Sequence, residues 1–274
     1  MAKPKLTNAA RPATFEVEAY NERGEMVPTA IAGEHPLTLY LDKREIVTLM
    51  TLGHAPEALV IGYLRNQRVV DSIDDIAAVQ VDWETDSAAV TTLRKKEIDL
   101  DKKTVTSGCG QGTMFGNLME EIENIEFKDK IFLEDASLFA LIEKVRKHET
   151  IYKQAGAVHG CALATTAGEI LMFVEDVGRH NAVDAIAGFM WLDGIDGSDK
   201  VFYTTGRLTS EMVIKCAQMR IPFLVSRSGL TQMGHSIARK VGITMLGRAS
   251  GRHYLVFTGK ERIVKTAPQP TELA

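Results

Sequence analysis

The feature that most constrains this chain is the alternation of two hydrophobic periods after Asp135. Leu138, Leu141, Ile142 and Val145 form a helical stripe with Asp135 placed as its N-cap. Residues 157–165 and 169–174 then read as a strand pair around the Ala167-Gly168 turn signal. Helical patterns at 181–191, 210–219 and 232–241 interleave with strand patterns at 201–204, 222–225 and 243–246. Strands joined through helices run parallel with the helices packed on their faces, so an α/β sheet containing parallel strands is predicted.

The first half has a different rhythm. Residues 14–20 alternate, residues 21–25 carry a Gly turn signal, and Leu37, Leu39 and Leu41 alternate again. Ala58, Leu59, Gly62 and Tyr63 recur at helical spacing within 55–66, and residues 78–83 and 88–93 read as another strand pair. A smaller α+β N-terminal domain is therefore expected over 13–128, followed by the α/β domain over 129–262. Residues 263–274, with Pro268 and Pro270, read as a disordered tail. The length of 274 residues accommodates two such domains.

A formal net charge of −4 gives no general electrostatic case for nucleic acid or a membrane surface. No apolar run approaches bilayer-spanning length, and Lys3, Lys5 and Arg11 have no apolar stretch behind them. Three widely spaced cysteines, Cys109, Cys161 and Cys216, suit a reducing compartment better than a disulfide framework. The expectation is a soluble cytoplasmic protein with neither nucleic acid nor membrane as partner.

In an open α/β sheet, ligands sit beyond the carboxyl ends of the strands. Four predicted strand ends here each supply an arginine. Glu175, Asp176, Gly178, Arg179 and His180 follow one; Thr205, Gly206 and Arg207 the next; Ser226, Arg227 and Ser228 a third. Gly247, Arg248, Ala249, Ser250, Gly251, Arg252 and His253 follow the fourth. Arginine forks bind phosphate, glycines admit close backbone approach, and helix N-termini favour anions, so the set predicts a site for a phosphate-containing ligand. One such loop would be an ordinary exposed connector; four together point to a ligand. His180 beside Asp176 reads equally as an acid–base pair or as a histidine next to a capping aspartate.

Among the cysteines, Cys216 falls on a helical stripe with Met212, Val213 and Ala217 and reads as core. Cys161, after His159-Gly160 in an apolar strand, also reads as buried; a His-x-Cys pair alone is a poor metal site. Cys109 differs, because Gly108, Gly110 and Gly112 leave a thiol accessible and free backbone N–H groups near it.

The chain resembles the formate dehydrogenase accessory sulfurtransferases, the FdhD family. The resemblance rests on E-H-P-L-T at 34–38, T-S-G-C-G at 106–110, V-H-G-C-A-L at 158–163 and, above all, E-D-V-G-R-H-N-A-V-D at 175–184. T-G-R-L-T-S-E-M-V at 205–213, V-S-R-S-G-L-T at 225–231 and G-I-T-M-L-G-R-A-S-G-R at 242–252 follow in the family's order. It implies a cytidine-deaminase-like three-layer α/β fold, usually dimeric. It also implies a persulfide carried on Cys109, a cysteine desulfurase as donor, and delivery to molybdenum bis(molybdopterin guanine dinucleotide) for the formate dehydrogenase apoenzyme. The stretch from Arg248 to His253 matches the family's cofactor-binding segment. Two departures stand out: Gly112 replaces the second loop cysteine of some members, and Arg248 stands where members commonly have Phe.

Two other functions compete. A zinc deaminase would need H-x-E and P-C-x-x-C strings, which the chain lacks. A cofactor-binding chaperone that never handles sulfur would use the same arginines but not Cys109. A thiol redox role is disfavoured because Cys109 has no resolving cysteine near it in sequence.

Overall fold

The computed structural model describes residues 3–93, 104–105, 112–113, 122, 125, 127, 130–148 and 150–266. Cys109, with the rest of 106–111, lies outside the described residues. The chain begins with β1 (Lys5–Leu6), the hairpin β2 (Thr14–Tyr20) and β3 (Met26–Ala32), and then β4 (His35–Leu41) and β5 (Arg44–Thr51). Helix α1 (Pro56–Asn66), β6 (Ile76–Asp82) and β7 (Ser87–Thr92) follow. One sheet has the order β1-β6-β7-β4-β5, while β2 and β3 pair apart from it. Asn21 makes the β2–β3 turn, its side-chain oxygen accepting from the Arg23 and Glu25 amides at 2.9 and 3.0 Å.

Pro56 in the first turn of α1 lacks only an N–H that would have no helical partner there. The helix is buried on nearly every side, as expected for one wedged between layers. Glu57 accepts from Thr7 Oγ1 at 2.8 Å and from the Ala9 amide at 2.7 Å. Those bonds, with β1 paired parallel to β6, tie residues 5–9 to α1 and to the first sheet.

Short strands β8 (Thr104–Val105) and β9 (Gly112–Thr113) pair antiparallel, Val105 opposite Gly112. After β10 (Leu133–Glu134) come α2 (Asp135–His148), α3 (Ile151–Ala155), β11 (His159–Thr165), β12 (Ile170–Asp176) and α4 (Arg179–Asp193). The chain continues through β13 (Lys200–Thr204), α5 (Ser210–Gln218), β14 (Phe223–Ser226), α6 (Gln232–Val241), β15 (Thr244–Ser250), β16 (His253–Thr258) and β17 (Ile263–Val264).

The second sheet has the order β12-β11-β13-β14-β15-β16, parallel through β13, β14 and β15 and antiparallel elsewhere. Its side chains alternate between two cores. Ala162, Val201, Tyr203, Phe223, Val225 and Leu246 pack with Leu138, Leu141 and Val145 of α2. Cys161, Leu163, Phe202, Leu224 and Met245 face Ile186 of α4, Val213 of α5 and Ala238 of α6. The expected α/β sheet is present, with helices against both faces.

One sequence expectation needs correction. The tail does not begin at residue 263: β17 pairs with β10, and the Thr266 amide and hydroxyl both donate to Asp135. Asp135 is thus occupied in holding this segment, which keeps its carboxyl below the usual carboxylate range.

Candidate functional site

Strand register builds the site. His159 stands opposite Asp176, and Cys161 opposite Thr204, so the start of β11 and the ends of β12 and β13 share one edge of the sheet. The ends of β14 and β15 lie on the same edge because these strands run parallel to β13.

The loops at this edge are laced together. Ser226 Oγ donates to the Gly206 carbonyl at 2.6 Å, and the Arg227 amide donates to the Thr204 carbonyl at 3.1 Å. The Leu208 amide reaches the Gly229 carbonyl at 3.0 Å, and the Arg248 amide the Ser228 carbonyl at 2.9 Å. The backbone of the arginine-bearing loops is therefore fixed before a ligand arrives, which lowers the ordering cost of binding.

Arg179 opens α4 with its alkyl chain across Gly206, where a Cβ would stand 2.7 Å from Arg179 Cδ. Gly206 is thus required for close approach rather than for a positive φ. The Arg227 guanidinium lies over the Tyr152 ring, 5.4 Å from its centroid. Burial, and then the charges of Arg179, Arg207 and Arg227, hold the His159 imidazole below its ordinary pKa. Three of the four predicted arginines therefore lie near enough to His159 for their charges to act on it.

Arg248 differs. It is exposed at φ +54°, within a register shift of the β15–β16 ladder between Gly247 and Ser250. Such a bulge redirects side chains: Ala249 turns inward, Arg252 and His253 are exposed, and Ala249, Ser250 and Gly251 line a cavity of about 330 Å³. Arg227 and Arg146 lie on its wall, with Ile142, Val145 and Tyr203 supplying apolar surface. The arrangement offers a positively charged edge beside a pocket of mixed polarity.

The remaining polar residues of 175–184 build frame. Glu175 accepts from the Thr150, Ile151 and Tyr152 amides at 3.0–3.1 Å and so caps α3. Asp176 accepts from Thr51 Oγ1 at 2.5 Å and from Asn181 Nδ2 at 2.9 Å, tying β5 of the first domain to β12 of the second. Asn181 Nδ2 also donates to the Met50 carbonyl at 2.6 Å. His180 turns away from Asp176 into the interior, where its Nε2 lies 3.4 Å from Glu211. Burial, Lys215 and Arg179 outweigh that carboxylate and keep the ring neutral, its pKa pushed down to about 2. The Asp176–His180 acid–base pair is not formed, since the Asp176 carboxylate is turned to Thr51, Leu52, Gly178 and Asn181. Asp184 pairs with Lys215 at 2.7 Å and accepts from Asn66 at 2.7 Å, all three buried.

Cys161 and Cys216 are fully buried, as expected. Burial pushes the Cys161 thiol up to about 12 and Cys216 well above its ordinary value, so neither supplies a thiolate at neutral pH.

The FdhD/NarQ family profile matches residues 32–264. The chain belongs to this family. Among similar proteins, those named sulfur carrier protein FdhD include one from Listeria monocytogenes, 30% identical over 91% of this chain and 95% of its own length. Another, from Sulfurisphaera tokodaii, is 31% identical over 89% of this chain and 95% of its own. A crystal structure described as a formate dehydrogenase accessory protein from Desulfotalea psychrophila superposes with a TM-score of 0.75 at 26% identity, covering 92% of this chain and all of that one. The decapeptide that carried the family resemblance is thus mostly scaffold, and the family's likeness extends over residues 32–264. No helix among the described residues is long and apolar enough to cross a membrane.

Sequence reasoning placed Arg179, Arg207 and Arg227 at the strand ends, weighed His159 only as half of a His-x-Cys metal pair, and passed over Tyr152 and Arg146. His159 had a signal available: V-H-G-C-A-L opens an apolar strand with an imidazole, at the position where a returning strand meets the ligand edge.

Proposed function

We propose that this protein is a sulfur carrier that accepts sulfur as a persulfide on Cys109 and passes it to molybdenum bis(molybdopterin guanine dinucleotide) for formate dehydrogenase. In the loading step, the Cys109 thiolate attacks the terminal sulfur of a cysteine desulfurase persulfide. A new S–S bond forms on Cys109, the donor's S–S bond breaks, and the donor leaves as a thiolate, with no external oxidant. The reading includes a homodimer working in the cytoplasm.

The observation that carries it is the convergence of Arg179, Arg207 and Arg227 on one sheet edge beside the cavity lined by Arg227, Ser250 and Gly251. A guanine dinucleotide brings a pyrophosphate suited to guanidinium forks and a flat heterocycle suited to a pocket with apolar walls. Of the three thiols in the sequence, Cys161 and Cys216 are buried and neutral, which leaves Cys109 as the candidate carrier. With Gly112 beside it instead of a second thiol, the loop holds one sulfur and forms no internal disulfide.

Incubation of the full chain with a cysteine desulfurase and cysteine tests this directly. Peptide mass spectrometry is expected to find one added sulfur on Cys109, removed by reductant. A Cys109→Ala variant that still supported formate dehydrogenase maturation would overturn sulfur transfer and leave a cofactor-binding chaperone.

A further inference from the structure

The arginine cluster accounts for charge at this edge of the sheet, but not for the imidazole beside it. His159 is half-buried, begins β11, and places Nδ1 3.4 Å from Thr205 Oγ1, a hydroxyl that also accepts from the Gly160 amide at 3.0 Å. Gly160, next in the strand, admits the Phe173 ring, from which a Cβ would stand 2.9 Å. The groups facing His159 come from each element packed around it. Arg179 starts α4, Arg207 follows β13 and Arg227 follows β14. Asp176 is its register partner on β12, and His180 lies close enough for the two rings to influence each other. The Asp176 carboxylate is turned to Thr51, Leu52, Gly178 and Asn181, so the immediate charge around His159 is positive.

We infer that His159 is a ligand-contacting residue of this edge, taking up a proton when a phosphate-type oxyanion settles among Arg179, Arg207 and Arg227. The inference rests on the anion-binding reading above and adds a linkage to it. In the empty site the guanidiniums oppose a further positive charge. A bound dianion cancels that opposition and offers an oxygen acceptor, so the ring gains a proton from solvent and a charge-assisted hydrogen bond. The affinity for a fully ionised anion then rises as pH falls through the ring's bound-state pKa, and the ligand is released more readily as pH rises.

Sulfate is the appropriate probe, because it does not itself titrate near neutrality and any proton taken up belongs to the protein. The ring resonances of the full-length chain would be followed by NMR between about pH 5 and 8, the range in which histidine titrates, with and without sulfate. Sulfate binding would be read separately from the amide shifts of Thr205 to Arg207. His159 is assigned with a His159→Gln variant or, should that variant not fold, from the proximity of its ring to the Thr205 methyl. The midpoint of His159 is expected to rise by ~1–3 pH units on sulfate binding. Sulfate binding with an unmoved His159 midpoint would overturn the inference and leave the anion site standing. Absence of sulfate binding, with the amides unshifted, would overturn both.

Discussion

Gly62 of α1 and Gly188 of α4 meet where the two helices cross, each against the other's backbone. A methyl on Gly62 would overlap the Asp184 carbonyl oxygen, and one on Gly188 would overlap that of Ala58. The two halves of the chain thus touch main chain to main chain, with Arg65 closing the contact by donating to the Ala187 carbonyl at 2.9 Å. Gly62→Ala and Gly188→Ala are each expected to cost about 3 kcal/mol, the upper end for overpacking. A shift of the urea midpoint checks this; retention of wild-type stability by both variants would show that the crossing yields.

The buried pair beside this crossing makes a second prediction. Asp184→Ala leaves the Lys215 ammonium buried without its 2.7 Å partner and is expected to cost ~3–5 kcal/mol. Replacing both residues, as Asp184→Leu with Lys215→Met, removes the stranded charge and should recover the larger part of that loss. A double-mutant cycle measures the difference; equal losses in the single and double variants would contradict it.

His180 makes the stability depend on pH. In the unfolded chain it takes up a proton as pH falls through ~6.5, whereas the folded ring, held neutral down to about 2, does not. Below pH ~6.5 this group makes the unfolded state bind more protons, so its contribution to stability falls as pH falls, by up to ~1.4 kcal/mol per pH unit. Between pH 7 and 5, wild type should lose about 2 kcal/mol more than His180→Gln. Parallel urea profiles for the two proteins would refute the assignment.

Arg248 should show opposite effects on stability and binding. It occupies a left-handed backbone conformation at φ +54° that glycine adopts without strain. Arg248→Gly is therefore expected to leave stability unchanged or raise it by up to ~1 kcal/mol, while weakening binding of guanosine diphosphate. Thermal melting and titration calorimetry separate the two effects; unchanged affinity would remove Arg248 from the site.

The helices and central strands were legible because their apolar periods are local. Arg44 to Thr51 was missed as a strand, since its charged start and mixed pattern take shape only on pairing with β4. Lys5–Leu6 and Ile263–Val264 were missed because two residues carry no period at all. The arginine loops could be read from strand ends in parallel order. The imidazole of His159 was visible at the start of an apolar strand, but its place at this sheet edge depends on β11 running antiparallel to β13, a direction that no local pattern encodes. Two readings of Asp176 and His180 stayed open in the sequence for a related reason: neighbours at a strand-to-helix junction point different ways, and their partners, Thr51 and Glu211, come from distant segments.

The seam between Gly62 and Gly188 also determines how the protein can be dissected. Neither half is expected to fold as an autonomous module. An isolated N-terminal piece would expose the α1 surface that fits against α4, and an isolated C-terminal piece would lose Asn66 from Asp184 and Thr51 from Asp176. A truncated Cys109 fragment would thus be a poor surrogate for studying its sulfur chemistry, and separately expressed halves should recover function only where they reassemble along that seam.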